Sequence, residues 1–289
     1  MELAFPITVY WDLAPGTPPD RSLVRSCDEI LECRPLMLQL YDPSPVLGEA
    51  ARVILERFRE TPVAVSLTLT YPALLSLAET SPELDVKELL IAVNNLESLG
   101  DVPHTPEVGI SFFVTRDNWR QLPEVVAFCR DRGLKRLVLP MQRLYGAEEP
   151  FLLDSSEQGM LENDLAAAGG IDGLRLTIHD PFLWRAFNPG IPFPQGGCQA
   201  ANTMIAIAPD GGVYPCPTLP ERIGEIGSTP LKEIISSPAK KELRKRIVRY
   251  PDACTSCQEI AVCRGGCRGR SYVMHSSFDS IDDACRERE

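Results

Sequence analysis

Residues 36–60 read LMLQLYDPSPVLGEAARVILERFRE, a complete strand–turn–helix unit. LMLQLYD from Leu36 is a short apolar run of the kind a strand makes. After it, VLGEAARVILERFRE from Val46 has helical spacing. Working outward, further apolar runs stand at ITVYWDL from Ile7, VAVSLTLT from Val63, ELLIAVN from Glu88, VGISFFVT from Val108, RLVLPMQ from Arg136 and LRLTIHD from Leu174. Between them, NWRQLPEVVAFCRDRG from Asn118 has helical spacing with a stop at Gly133; YPALLSLAET and EQGMLENDLAAAGG carry the same signal more weakly. Strands alternating with helices predict an α/β fold whose mostly parallel sheet is covered by helices and curved into a partial or full TIM-like (β/α) barrel.

The pattern ends at NPGIPFPQGG, residues 188–197, where three prolines and three glycines in ten residues exclude helix and strand alike. A module boundary is expected there, giving a barrel over 1–187 and a smaller domain over 188–289. Charge agrees with the division: residues 1–180 carry 15 basic and 28 acidic side chains, whereas 181–289 carry 14 and 12. The overall charge of −11 argues against coating nucleic acid or an anionic membrane. No run of about 18 apolar residues is present, and Glu2 and Pro6 interrupt any leader, so a cytoplasmic protein without membrane contact is expected. Beyond the boundary, TMIAIAPDGGVYPC predicts a hairpin around Asp210, Gly211 and Gly212, and SPAKKELRKRIVRY from Ser237 a basic helix ending at Pro251.

Ten cysteines in a reducing compartment read better as metal ligands than as disulfides. Seven crowd the smaller domain. Cys198 is followed by twelve residues, Gly211, four residues and Cys216; then Cys254, Cys257, Cys263 and Cys267 fall at C-x2-C-x5-C-x3-C, and Cys285 closes the series. Soft thiolates at loop spacings suit zinc or iron–sulfur clusters. Taken alone, the set from Cys254 to Cys267 is also that of a structural zinc site in an interaction protein.

The full seven-cysteine spacing resembles the SPASM domain that follows the catalytic barrel in many peptide-modifying radical SAM proteins. The resemblance implies a radical SAM-type barrel and two auxiliary iron–sulfur clusters, of the [4Fe–4S] type. It assigns Cys254, Cys257, Cys263 and Cys285 to one complete cluster and leaves Cys198, Cys216 and Cys267 for the other. Members with full ligation have a further cysteine shortly before the position of Cys198, where this chain has IPFPQGG. That iron position is therefore open, filled by a residue from elsewhere, or part of a smaller or lost cluster; His275, Cys33 and Asp210 are the candidates outside the motif.

The barrel departs from the same family. Radical SAM enzymes carry C-x3-C-x2-C after the first strand, whereas here APGTPPDRSLVRS follows ITVYWDL and only Cys27 and Cys33 come next, five residues apart in a predicted helix. The GGEP-like segment after the second strand is replaced by YDPSPVL. No S-adenosylmethionine cluster is expected. A SPASM-type cysteine set behind such a barrel most resembles the SPASM-domain proteins of the GeoRSP system. That resemblance implies an auxiliary protein that passes electrons to, or presents a small ribosomal precursor peptide to, a radical SAM/SPASM partner. The alternatives are a diverged peptide-modifying enzyme of the same type, with the open iron position as Lewis acid, and the zinc protein above.

Other residues carry less. Trp11 and Asp12, with His179 and Asp180, end the first and last barrel strands, where they are placed to line a peptide groove; the plainer reading makes Asp180 a helix cap and His179 an edge histidine. Lys240, Lys241, Arg244, Lys245, Arg246 and Arg249 read as a solvated helix face. Arg264, Arg268 and Arg270 read as counter-charges to thiolate-ligated clusters. Cys129 reads as a core thiol.

Overall fold

A computed structural model describes residues 3–80, 84–99, 108–146, 148–194 and 196–286. The chain divides into two compact units, Met1–Ala92 with Gln199–Arg244, and Val93–Cys198 with Lys245–Glu289.

In the first unit, strands β1 (Thr8–Asp12), β2 (Met37–Asp42), β3 (Ala64–Thr70) and β4 (Glu88–Val93) run parallel in chain order. Helices α1 (Arg21–Glu32), α2 (Glu49–Phe58) and α3 (Tyr71–Thr80) follow the first three strands. Their apolar faces meet the strands in one core that includes Leu38, Leu40, Ile54 and Leu67, each 1% exposed or less. Truncating any one of these to Ala removes about 2 to 5 kcal/mol. Helix α1 starts where the Asp20 carboxylate accepts from the amides of Ser22 and Leu23.

The expected hairpin is present as β8 (Met204–Ile207) and β9 (Gly212–Tyr214), with Asp210 accepting from the amide of Gly212 and Gly211 at φ +79° in the turn. Its first strand does more than make a hairpin: β8 pairs parallel with β1, Thr8 opposite Met204, and thereby covers the β1 edge. A short β10 (Gly224–Glu225) pairs with β9, and α7 (Leu231–Ser236) is tied to α1 by the Leu231 amide donating to Glu29.

The second unit holds the parallel strands β5 (Val108–Phe112), β6 (Arg136–Leu139) and β7 (Arg175–Ile178), in chain order. Strand β5 is buried throughout, as a strand covered on both faces must be. Helix α4 (Leu122–Asp131) ends before Gly133, as expected. Helix α5 (Ser155–Ala167) begins two residues before the predicted stretch, because Asp154 and Glu157 form a reciprocal capping box, and stops before Gly169 and Gly170, both at positive φ. A helix the sequence reading did not list, α6 (Pro181–Phe187), starts on Asp180, whose carboxylate accepts from the amides of Phe182 and Leu183. The capping role read for Asp180 is therefore observed.

The basic run lies in α8 (Pro238–Val248) and corrects one expectation. Lys241, Lys245, Arg246 and Arg249 are exposed, but Lys240 and Arg244 are buried, and Arg244 donates to the carbonyl of Ala200 at 2.9 Å. No helix among the described residues is long and apolar enough to cross a membrane.

Candidate functional site

Five of the seven singled-out cysteines lie between Pro251 and Arg286 in the second unit, and short local hydrogen bonds set each one. The chain enters through a 3₁₀ turn, Asp252–Cys254, and turns again so that the Cys257 amide donates to the Cys254 carbonyl at 3.0 Å. The two thiols are neighbours: Cys254 is raised above its ordinary value by burial first and by the charge of Cys257 next, while Arg268 pulls the other way. A single-turn helix, α9 (Ile260–Cys263), ends on Arg264 in the left-handed conformation, and Gly265 and Gly266 follow at φ +88° and +70°. Three successive positive-φ residues turn the glycine amides back onto the Cys263 thiol. Burial raises that thiol to about 11 against the pull of these amides.

Gly266 is required for space as well as for conformation. A Cβ there would lie 2.6 Å from a carboxylate oxygen of Asp282 and 2.9 Å from the Phe182 ring. Cys267 then caps α10 (Arg268–His275), its sulfur accepting from the Arg270 amide at 3.5 Å, and burial pushes its thiol up to about 12. Cys285 returns beside Cys263, and both pack on the small apolar cluster of Phe182, Phe193 and Ala284.

One buried ion network fixes this frame. Asp282, 1% exposed, accepts from Arg270 Nε at 2.7 Å and Nη2 at 2.8 Å, from the Cys267 amide at 2.6 Å and from the Ala284 amide at 3.2 Å. Arg270 Nη1 also reaches Asp180 and the carbonyl of Phe151. Burial works against the Arg270 charge, but Asp180 and Asp282 together hold its guanidinium protonated. The cap of α6, the start of α10 and the segment before Cys285 are thus pinned to one another.

The predicted residues separate as follows. Cys254 with Cys257 and Cys263 with Cys285 form neighbouring pairs, and Cys198 and Cys267 act on the charge of Arg268. Cys216 is a buried residue of the first unit. Among the described residues no group of three or more His, Cys, Asp and Glu side chains converges to hold one metal ion. The candidates for the open iron position have other surroundings of their own. Cys33 is in the core of the first unit with Cys27, Asp210 is in the β8–β9 turn, and His275 pairs with Asp283 at 2.6 Å. His179 is pushed down to about 4 by burial and by Arg136 and Arg143.

The chemistry of the donor set suits an iron–sulfur group. It offers soft sulfur donors, amides aimed at sulfur, and a buried cation with donors to spare. Arg268 is 0% exposed, yet its Nε and Nη2 have no partner among the described residues. Burial works against its charged form, which Cys198, Asp282, Cys254 and Cys267 favour. These features fit an anionic, thiolate-ligated cluster. Cysteine spacing signalled the donors; the role of Asp282, and the pairing of Asp180 with Arg270, had no sequence signal beyond charge.

Comparison with known proteins agrees with this chemistry. Residues 198–258 match the SPASM family model, described as an iron–sulfur cluster-binding domain. The chain is 27% identical over 206 residues to the mycofactocin maturase MftC of Mycolicibacterium smegmatis, covering 68% of this chain and 51% of that protein. It thus spans about half the length of that curated relative. Among solved structures, Streptococcus suis SuiB bound to its precursor peptide SuiA superposes with a TM-score of 0.67 at 16% identity, covering 98% of this chain and 76% of that one. Native anSMEcpe with bound AdoMet gives 0.61 at 17% identity, covering 97% and 94%. These likenesses show the fold, a mixed α/β fold shared with SuiB and anSMEcpe, with an iron–sulfur cluster-binding SPASM match over residues 198–258.

Proposed function

We propose that this chain holds two iron–sulfur clusters on Cys198, Cys216, Cys254, Cys257, Cys263, Cys267 and Cys285 and acts as an auxiliary protein in the maturation of a small ribosomal peptide. It would pass electrons to, or present the peptide to, a separate radical SAM/SPASM protein in the cytoplasm, the role of the SPASM-domain proteins of the GeoRSP system. The observation that carries the reading is the match of residues 198–258 to an iron–sulfur cluster-binding domain. The division at residue 188 belongs to it, with 1–187 as a docking scaffold and 188–289 as the cluster domain.

Cys254, Cys257, Cys263 and Cys285 would hold one cluster, and Cys198, Cys216 and Cys267 the other, with an open or non-thiolate position. When bound, such clusters supply one-electron chemistry. The protein's part is to orient sulfur and set its surroundings: the Gly265 and Gly266 amides favour the thiolate form of Cys263, and the Arg270–Asp282 network fixes the Cys267 backbone. The auxiliary role is supported by the first third of the chain, where Cys27 and Cys33 are buried in the core, each 0% exposed, and no cysteine triplet follows β1.

A second reading, a diverged peptide-modifying enzyme, is favoured by the similarity to a maturase. Incubating reduced, anoxic protein with S-adenosylmethionine separates the two: the auxiliary reading predicts no 5′-deoxyadenosine from this chain alone, and its formation overturns that reading. Substituting Cys254 by Ala should lose close to one whole cluster, and unchanged iron would refute the ligand assignment.

A further inference from the structure

Three arginines follow Cys263, and their surroundings differ. Arg264 is exposed, with Nε 3.5 Å from the carbonyl of Ala261. Arg270 is buried but neutralised by Asp180 and Asp282. Arg268 is buried completely and is not neutralised. Its Nη1 donates to two neutral carbonyls, Gly265 at 3.1 Å and Ser280 at 3.2 Å, while Nε and Nη2 have no partner among the described residues. Asp282, the acid that acts on it, spends its oxygens on Arg270 and on the amides of Cys267 and Ala284.

A fully buried guanidinium with two unspent donor atoms is costly, so a protein keeps one where something anionic completes it. Besides Asp282, the side chains that act on Arg268 against the effect of its burial are the cysteines Cys198, Cys254 and Cys267, Cys198 the most strongly of the three, and as cluster ligands they would be thiolates. Gly265 helps to keep the place, since a Cβ there would stand 3.1 Å from Arg268 Nη1 and 2.9 Å from Pro251.

We propose that Arg268 is the charge partner of the cluster anchored by Cys198 and Cys267, with Nε and Nη2 donating to its sulfur atoms, and that it raises the reduction potential of that cluster. The inference rests on the cluster reading above and assigns one cation to one of the two clusters. A positive charge beside a cluster favours the reduced, more negative state, so its removal makes reduction harder.

The test uses full-length wild-type, Arg268→Met and Arg268→Lys proteins, prepared without oxygen. Iron and sulfide are assayed, midpoint potentials are taken from electron paramagnetic resonance redox titrations, and melting is followed with and without clusters. In Arg268→Met, one midpoint should move to a more negative value while the other stays, and Arg268→Lys, which keeps the charge, should move it less. The cluster-free Met variant should melt at or above the wild type, and the loaded variant below it. Loss of one cluster from a Met variant that melts normally when cluster-free gives the same answer. Two unmoved potentials at full iron content, equal destabilisation of both forms, or a Met variant that does not fold would each overturn the proposal. Wild-type protein that takes up no iron and sulfide overturns the cluster reading itself and removes the basis for this one.

Discussion

Arg270 shows what a single buried charge does in this protein. Its guanidinium joins two carboxylates, Asp180 and Asp282, that lie 102 residues apart in the chain. Removing one partner from a buried, hydrogen-bonded ion network leaves the others without compensation. Asp282→Asn, or Arg270→Met, should therefore cost about 3 to 5 kcal/mol; chemical denaturation of the cluster-free protein measures it, and a loss below about 1 kcal/mol would show the network to be incidental. The buried thiols give a pH prediction. Burial pushes Cys27 and Cys129 up to about 12 and Cys33 up to about 11. An unfolded thiol ionises near 8.5 to 9, so between that pH and about 11 to 12 the unfolded chain binds fewer protons than the folded one, and stability falls as pH rises. From pH 7 to pH 10 each thiol should remove about 1.4 to 2 kcal/mol. A denaturation midpoint that is flat over that range would contradict the burial of these groups.

At the scale of elements, the segment from Arg264 to Gly266 is the most constrained. Gly266→Ala meets Asp282 and Phe182 at the Cβ and holds alanine at φ +70°, so it should cost about 2 kcal/mol or more and disturb Cys263 and Cys267 together. Gly227, at φ +87° with no atom within 4 Å of its Cβ position, is the control: Gly227→Ala should cost about 1 kcal/mol and leave iron content unchanged. If both variants behave alike, packing around Gly266 is not what matters. Elements were legible in sequence where the pattern is local. Short apolar, β-branched runs located β1 to β7, and Asp210 with two glycines located the β8–β9 turn. Helix α6 has only seven residues, too few to display a period, and its start depends on Asp180 in the cap position. The parallel pairing of β8 with β1 joins residues almost 200 positions apart, which no local pattern encodes. Burial of Arg244 follows from the Ala200 carbonyl, and the difference between Arg268 and Arg270 follows from Asp282, twelve or more residues away. Cysteine spacing could reveal donors, but which arginine remains unspent depends on tertiary contacts.

At the scale of the whole molecule, the chain combines an α/β fold shared with SuiB and anSMEcpe with a SPASM match over residues 198–258, and the central claim is that the cysteines in and beyond that match hold inorganic clusters. Assaying iron, zinc and acid-labile sulfide per chain, in protein purified and reconstituted without oxygen, tests it most directly. Two [4Fe–4S] clusters predict about eight iron and eight sulfide atoms per chain, falling by about half in Cys254→Ala. Zinc without sulfide, or protein that stays colourless after reconstitution, would contradict the account.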